Sequence, residues 1–167
     1  MSVYFDSAYI AKCYVNETDS PRVRALLRAS GGAHSSSLSR AEFAATLLRH
    51  LREGSLDRKQ CRKLQSDFAA DMELGVWTMV PVSDALMSRV AVRIAQLASS
   101  IYVRAGDVIH LCAAGEAGFS DVWTNDRHVL AAAGAFGLQG RSAQERRRRS
   151  ARAITTPRAR GSTTAGW

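Results

Sequence analysis

Long apolar runs are missing from this chain. No stretch approaches the eighteen or so consecutive apolar residues that a membrane span needs, so no membrane role is expected. The opening residues, Met1-Ser2-Val3-Tyr4-Phe5-Asp6, carry no basic segment followed by a long apolar one. They predict no signal peptide and a cytoplasmic protein. Cysteine is scarce. Cys13, Cys61 and Cys112 are an odd number with no close pair, which argues for reduced thiols and against a disulfide framework or a zinc site. Cys13 and Cys112 sit among apolar residues and read as small core fillers. Neither G-x-G-x-x-G nor G-x-x-x-x-G-K-[ST] occurs, which argues against nucleotide binding of the Rossmann or P-loop kind. H-x-x-H and H-x-E are absent too, so nothing supports a zinc hydrolase. There is no internal repeat.

What is present fits one globular domain. The 167 residues can bury a real core, and the 46% hydrophobic and 23% charged fractions are ordinary for a soluble protein. The formal charge of +8 points toward nucleic acid, but its distribution weakens the inference. Residues 141–167 hold eight arginines and one glutamate, while 1–140 hold fifteen basic and fourteen acidic residues. The basicity therefore belongs to a tail containing Arg146 to Arg149 and a Thr-, Gly- and Ser-rich end. This composition predicts disorder for 141–167 and a folded domain over 1–140. The tail either holds RNA loosely through phosphate contacts or is a solvated extension.

Residues 2–5 read as an opening buried strand. Residues 7–15 suit a short helix. Residues 21–29 suit another, with Asp19 or Ser20 as cap and Pro21 in the first turn, where its missing N–H is harmless. Residues 33–37 fit a second strand by context more than by propensity. A strong helix spans 40–53, with Phe43, Leu47, Leu48 and Leu51 on one stripe and Gly54 as its stop. With a helix at 56–73 it makes an αα-hairpin. Residues 76–80 read as a strand. Residues 84–98 read as a helix with Leu86, Val90, Ile94 and Leu97 at helical spacing, and 107–117 as one more. A strand at 121–124, a last full helix at 126–136 and a closing strand near 136–138 complete the pattern. Short apolar strands alternating with helices predict an α/β fold around a parallel sheet.

Ligands of such sheets bind beyond the carboxyl ends of the strands. Asp6 directly follows the first strand, and Asp126 follows the late one. Glu42 and Asp107 begin helices. Each has a plain structural explanation. Ser39-x-x-Glu42 matches a capping box, and Asp6, Asp107 and Asp126 can cap a helix or complement its dipole. Asp19, Asp57 and Asp84 hold similar positions and are read as caps alone, so an acid at a helix start does not define a site. Ser7 and Thr124 either orient the acids by hydrogen bonds or serve in turns and caps; Asn125 does the same or closes an Asx turn. His110 lies three residues after Asp107 on nearly the same face and reads as a packing or locally bonded residue, not a base. Arg104 and Lys12 read as solvated surface, with phosphate contact as the alternative.

Taken together, the acids are more specific. Residues 3–10 (VYFDSAYI) resemble the opening segment of PIN domains. Ser39-Arg40-Ala41-Glu42-Phe43 resembles their second motif, Ala105-Gly106-Asp107-Val108-Ile109-His110-Leu111 the third, and Thr124-Asn125-Asp126-Arg127 the fourth. Order and spacing agree over about residues 2–139, and the wording is most similar to VapC-type toxins of bacterial toxin–antitoxin pairs. The tail beyond Gly140 departs from that family's usual end.

The resemblance implies a three-layer α/β/α fold with a central parallel sheet of four to five strands and the αα-hairpin inserted. It implies a metal-dependent endoribonuclease using Mg²⁺ or Mn²⁺, which hard oxygen ligands hold. Asp6 and Asp107 would be the main ligands. Glu42 and Asp126 would complete the group directly or through water, with Ser7, Thr124 and Asn125 in support. The implied partners are an RNA substrate, a small antitoxin protein and a second copy of the chain. Tyr9, Tyr14, Leu26 and Leu27 line a groove or subunit contact, or belong to the core. The alternative is a non-catalytic PIN-like RNA- or protein-binding module. A response-regulator fold would want a paired acid after strand one, and a haloacid-dehalogenase-like phosphatase an Asp at position 8, which is Ala.

Overall fold

The computed structural model describes residues 1–144 of the 167. The predicted basic tail lies outside the described residues from 145 onward.

The sheet is parallel throughout, as the alternation of strands and helices requires. β1 (Val3–Tyr4) pairs with β2 (Ala33–Ser36), and β2 with β3 (Trp77–Val80). β4 (Asp121–Trp123) pairs with β5 (Gln139–Arg141). A single bridge between Phe5 and Trp123 joins the two pieces, giving the spatial order 3-2-1-4-5. Strand one therefore sits centrally, and the residue after it meets the end of β4.

Side chains alternate across a strand, and here that alternation divides the core into two layers. Tyr4 points into a cluster with Leu86, Val90, Val108, Leu111 and Val122. These come from α5 (Asp84–Gln96), α6 (Ala105–Glu116) and β4; α7 (Arg127–Ala132) adds Val129. Phe5 points the other way, into Ile10, Val23, Phe43, Phe68 and Trp77. That face is covered by α1 (Ser7–Tyr14), α2 (Ser20–Ala29), α3 (Ser39–Arg52) and α4 (Arg58–Glu73). The result is the expected α/β/α sandwich.

The αα-hairpin of α3 and α4 closes on Phe43 and Phe68, whose ring centroids lie 4.8 Å apart. Both rings are fully buried, each contributing roughly 1.5–3 kcal/mol relative to exposure. The predicted stripe on α3 is narrower than expected: Leu47 is buried, but Leu48 is 55% exposed. One residue further around the helix turns a side chain by about 100°, out of the seam. Ile94 on α5 likewise faces solvent, at 43% exposure. Tyr9 is fully buried, and Tyr14, Leu26 and Leu27 pack against the same core.

The closing segment differs from expectation. The helix that begins at Arg127 gives way to a 3₁₀ turn over Ala133–Phe136. Gly137, at φ +74°, reverses the chain in a conformation that favours glycine. The last strand therefore starts at Gln139, three residues later than predicted, and runs past the expected boundary at 140 to Arg141. Ser142 Oγ then donates to Asn125 Oδ1 at 2.7 Å and the Ala143 N–H to Tyr9 Oη at 2.8 Å. These bonds strap the chain to the core. The cysteines are unpaired and partly buried, and burial pushes the Cys13 thiol up to about 12. No helix of the described residues is long and apolar enough to cross a membrane.

Candidate active site

Parallel pairing of β1 and β4 is what brings residues 118 positions apart together. The Asp6 N–H donates to Trp123 O at 3.1 Å, so Asp6 and Thr124 leave the sheet side by side. Asp6 caps α1, accepting from the Tyr9 N–H at 2.9 Å through Oδ1. Its other oxygen accepts from the Thr124 hydroxyl. The same hydroxyl accepts the Asp126 N–H at 2.9 Å. Asp126 in turn caps α7, taking the His128 N–H at 2.7 Å. Thr124 is thus the pin between two acids, one of the two roles the sequence left open for it.

Glu42 reaches the same edge from α3, though not as a capping-box residue. The N-cap of α3 is Leu38, and Ser39 turns inward to Ser35 Oγ at 2.7 Å, so the predicted box does not form. The Glu42 carboxylate instead meets His110 on α6, with Oε2 2.9 Å from Nε2. Gly106 lies against its other oxygen: a Cβ there would stand 3.1 Å from Oε1. Asp107, the next residue, accepts from the Arg104 N–H at 2.9 Å and from Arg104 Nε at 3.2 Å. Arg104 also reaches Asp126, bridging the two acids. Its side chain is solvent-exposed, at 59%, as expected of a surface arginine, but it also pairs with both acids, which the sequence did not indicate.

Other readings change as well. Asn125 turns away from the acids. It accepts from Tyr9 Oη at 2.8 Å and donates to Asp19 Oδ2 at 3.0 Å. Asp19 stands at the N-cap of α2, as expected, but its side chain makes no cap bond; it is a buried acid held by Asn125, Gln144 and Lys12. Lys12 pairs with Glu17 at 2.9 Å, away from the acid group. Asp57 does cap α4, in a capping box with Gln60. Asp84 stands in the first turn of α5, where Ser83 is the cap. His110 is packed and hydrogen-bonded, as expected, but its partner Glu42 is not local, and nothing in the sequence singled out Tyr4, whose hydroxyl lies 3.3 Å from His110 Nδ1. The only sequence signal for either was the i, i+3 spacing of His110 from Asp107.

The electrostatics of the acids diverge. Burial raises the Asp6 pKa, and nearby Glu42 adds to it. The Thr124 bond, the charge of His110 and the Tyr9 N–H oppose that rise without cancelling it. For Glu42, burial acts upward first, but the His110 bond and charge, Ser7 and Arg104 together hold it below the ordinary carboxylate value. Two carboxylates with opposed shifts at one sheet edge form an arrangement suited to proton handling or to cation binding. Among the described residues, no three His, Cys, Asp or Glu side chains converge closely enough to hold an ion. As the side chains stand, Arg104 supplies the positive charge between Asp107 and Asp126.

No protein-family model and no curated protein matches the chain. Solved structures do. VapC20 of Mycobacterium tuberculosis, described as a sarcin-ricin loop cleaving toxin, superposes with a TM-score of 0.62 at 13% identity, over 78% of this chain and 94% of its own. FitAB, solved bound to an IR36 DNA fragment, gives a TM-score of 0.60 at 15% identity, over 86% of this chain and 95% of its own. Such identities speak to fold alone: the chain shares the fold of VapC20 and FitAB, in keeping with the fold its four motifs led one to expect.

Proposed function

We propose that the protein is a Mg²⁺- or Mn²⁺-dependent endoribonuclease and the toxin of a toxin–antitoxin pair. The observation that supports this reading is that Asp6, Glu42, Asp107 and Asp126 all lie along the carboxyl edge of a VapC-like fold, linked through Thr124, Arg104 and His110. Their donors suit a hard divalent cation: all are carboxylate oxygens, and a guanidinium already bridges two of them. Such an ion, when bound, activates water and offsets charge on the phosphate. Asp6 and Asp107 are assigned as the principal ligands, with Glu42 and Asp126 acting directly or through water. Thr124 fixes the Asp6 carboxylate, Ser7 and His110 keep Glu42 ionised, and Arg104 balances Asp107 and Asp126.

The substrate class is RNA. VapC20 is named for cleaving the sarcin-ricin loop, which makes that loop the first RNA to offer. A small antitoxin is the proposed protein partner, and a homodimer in the cytoplasm is the proposed working state.

Arg104 favours a second reading. A guanidinium seated between Asp107 and Asp126 is also what a non-catalytic PIN-like RNA- or protein-binding module would keep. One experiment separates the two. Purified protein is incubated with structured RNA and Mn²⁺, with and without EDTA, beside the Asp6→Asn variant. The enzyme reading expects cleavage that both EDTA and the substitution abolish. RNA bound but never cut supports the module, and cleavage that survives both treatments contradicts the site.

A further inference from the structure

His110 is 3% exposed, so it cannot reach a substrate. It is nonetheless fully engaged. Nε2 stands 2.9 Å from Glu42 Oε2, while Nδ1 faces Tyr4 Oη at 3.3 Å and Ser36 Oγ at 3.5 Å. An ionised carboxylate only accepts, so Nε2 carries the proton and donates. On the far side Nδ1 meets the two hydroxyls, which can serve as its partners, so both ring nitrogens are engaged. Gly106 confines the same carboxylate from its other side, with Oε1 3.1 Å from where a Cβ would stand. Gly106 and His110 are four residues apart and share one face of α6. One leaves the room and the other makes the bond. Asp107 lies between them in sequence, so a single helix sets the positions of two acids at once.

We propose that His110 is a positioning residue for the hydrolytic centre, holding the Glu42 carboxylate in fixed orientation relative to Asp107. The role rests on the nuclease reading of the four acids. An unrestrained Glu samples several rotamers, and fixing one in advance removes that entropy cost from cation binding. Burial of Tyr4 and Ser36 behind the ring keeps the imidazole from swinging away.

The test compares two amides. In His110→Gln the side-chain nitrogen reaches the place of Nε2 and can still donate to Glu42. In His110→Asn the amide stops near the place of Nδ1, close to Tyr4 and Ser36 but short of Glu42. Mn²⁺ affinity is measured by calorimetry, and RNA cleavage in parallel, for both variants, for Glu42→Gln and for Glu42→Gln/His110→Asn. His110→Asn is expected to weaken Mn²⁺ binding roughly 10- to 100-fold, as loss of a ligand's supporting bond typically does. His110→Gln is expected to recover most of it. In the Glu42→Gln background His110→Asn is expected to add no further loss, because the residues act as one unit. Equal losses in the Asn and Gln variants, or an undiminished loss in the Glu42→Gln background, overturn the positioning role while leaving the nuclease reading intact. Glu42→Gln with wild-type affinity and cleavage removes Glu42 from the centre, and His110's role with it.

Discussion

Asp6 and Glu42 show how far the surroundings can drive apart two carboxylates at one sheet edge. Asp6 is buried, and its raised pKa means the fold prefers it protonated. Its contribution to stability is therefore fully present below the ordinary carboxylate range and lost as pH rises through its folded value. Glu42 has the opposite sign: its contribution is present above its unfolded value and lost as pH falls through the depressed one. Asp6→Asn keeps an acceptor for the Tyr9 N–H while removing the buried charge. In EDTA at neutral pH this variant is expected to melt higher than the wild type, with the gap closing in acid; a lower melting temperature in metal-free thermal scans would contradict the assignment. Much of this was legible beforehand, because Asp6, Asp107 and Asp126 are placed by their position next to strands and helices. The partner of Glu42 was not. His110 lies 68 residues away, and it is the packing of α6 against β2 that brings it to the Glu42 carboxylate. Arg104 was half legible: its i, i+3 pairing with Asp107 follows from helix geometry, but its reach to Asp126 depends on where α7 begins.

At the scale of elements, hydrophobic period located nearly every helix and most strands, since long amphipathic segments carry redundant information. β2 was the weak case. Its Ala-His-Ser-Ser sequence has poor strand propensity, yet Ser35 and Ser36 are fully buried. Local bonding explains the exception: Ser35 Oγ donates to Phe5 O at 2.8 Å and contacts Ser39, while Ser36 lies against His110. Propensity scales omit such long-range satisfaction of buried hydroxyls. The closing strand was misplaced for a different reason. Phe136 and Leu138 are apolar and β-compatible, but Gly137 uses its left-handed freedom to end a 3₁₀ turn there, so pairing begins only at Gln139. Where the chain turns is fixed by backbone geometry that a hydrophobic pattern does not encode.

At the scale of the whole molecule, the strand order 3-2-1-4-5 is the reason the four acids share one edge of the sheet. It sets the ends of β1 and β4 together and lets α3 and α6 approach from opposite faces. Most of the net basic charge falls in the sequence after Gln144. Seven of the eight arginines beyond residue 140 follow Gln144, whereas the four acids, the strap and the five strands of the described residues lie before it. Removal of residues 145–167 is therefore expected to leave metal-dependent cleavage in place. The same truncation should flatten the salt dependence of RNA binding, since each lost phosphate contact lowers the slope of log K against log salt by about 0.7 for single strands. Loss of cleavage in a truncated chain with an unchanged melting temperature would move the tail into the active machinery.

The central claim, that four carboxylates act as one metal-dependent centre, is tested most directly by the rate of RNA cleavage as Mn²⁺ is titrated into the wild type and the four single-acid variants. The wild type should rise from background to a plateau. Asp6→Asn and Asp107→Asn should stay at background, and Glu42→Gln and Asp126→Asn should need more Mn²⁺ to reach a lower plateau. Five superimposable curves, or full wild-type cleavage before any metal is added, would contradict the account.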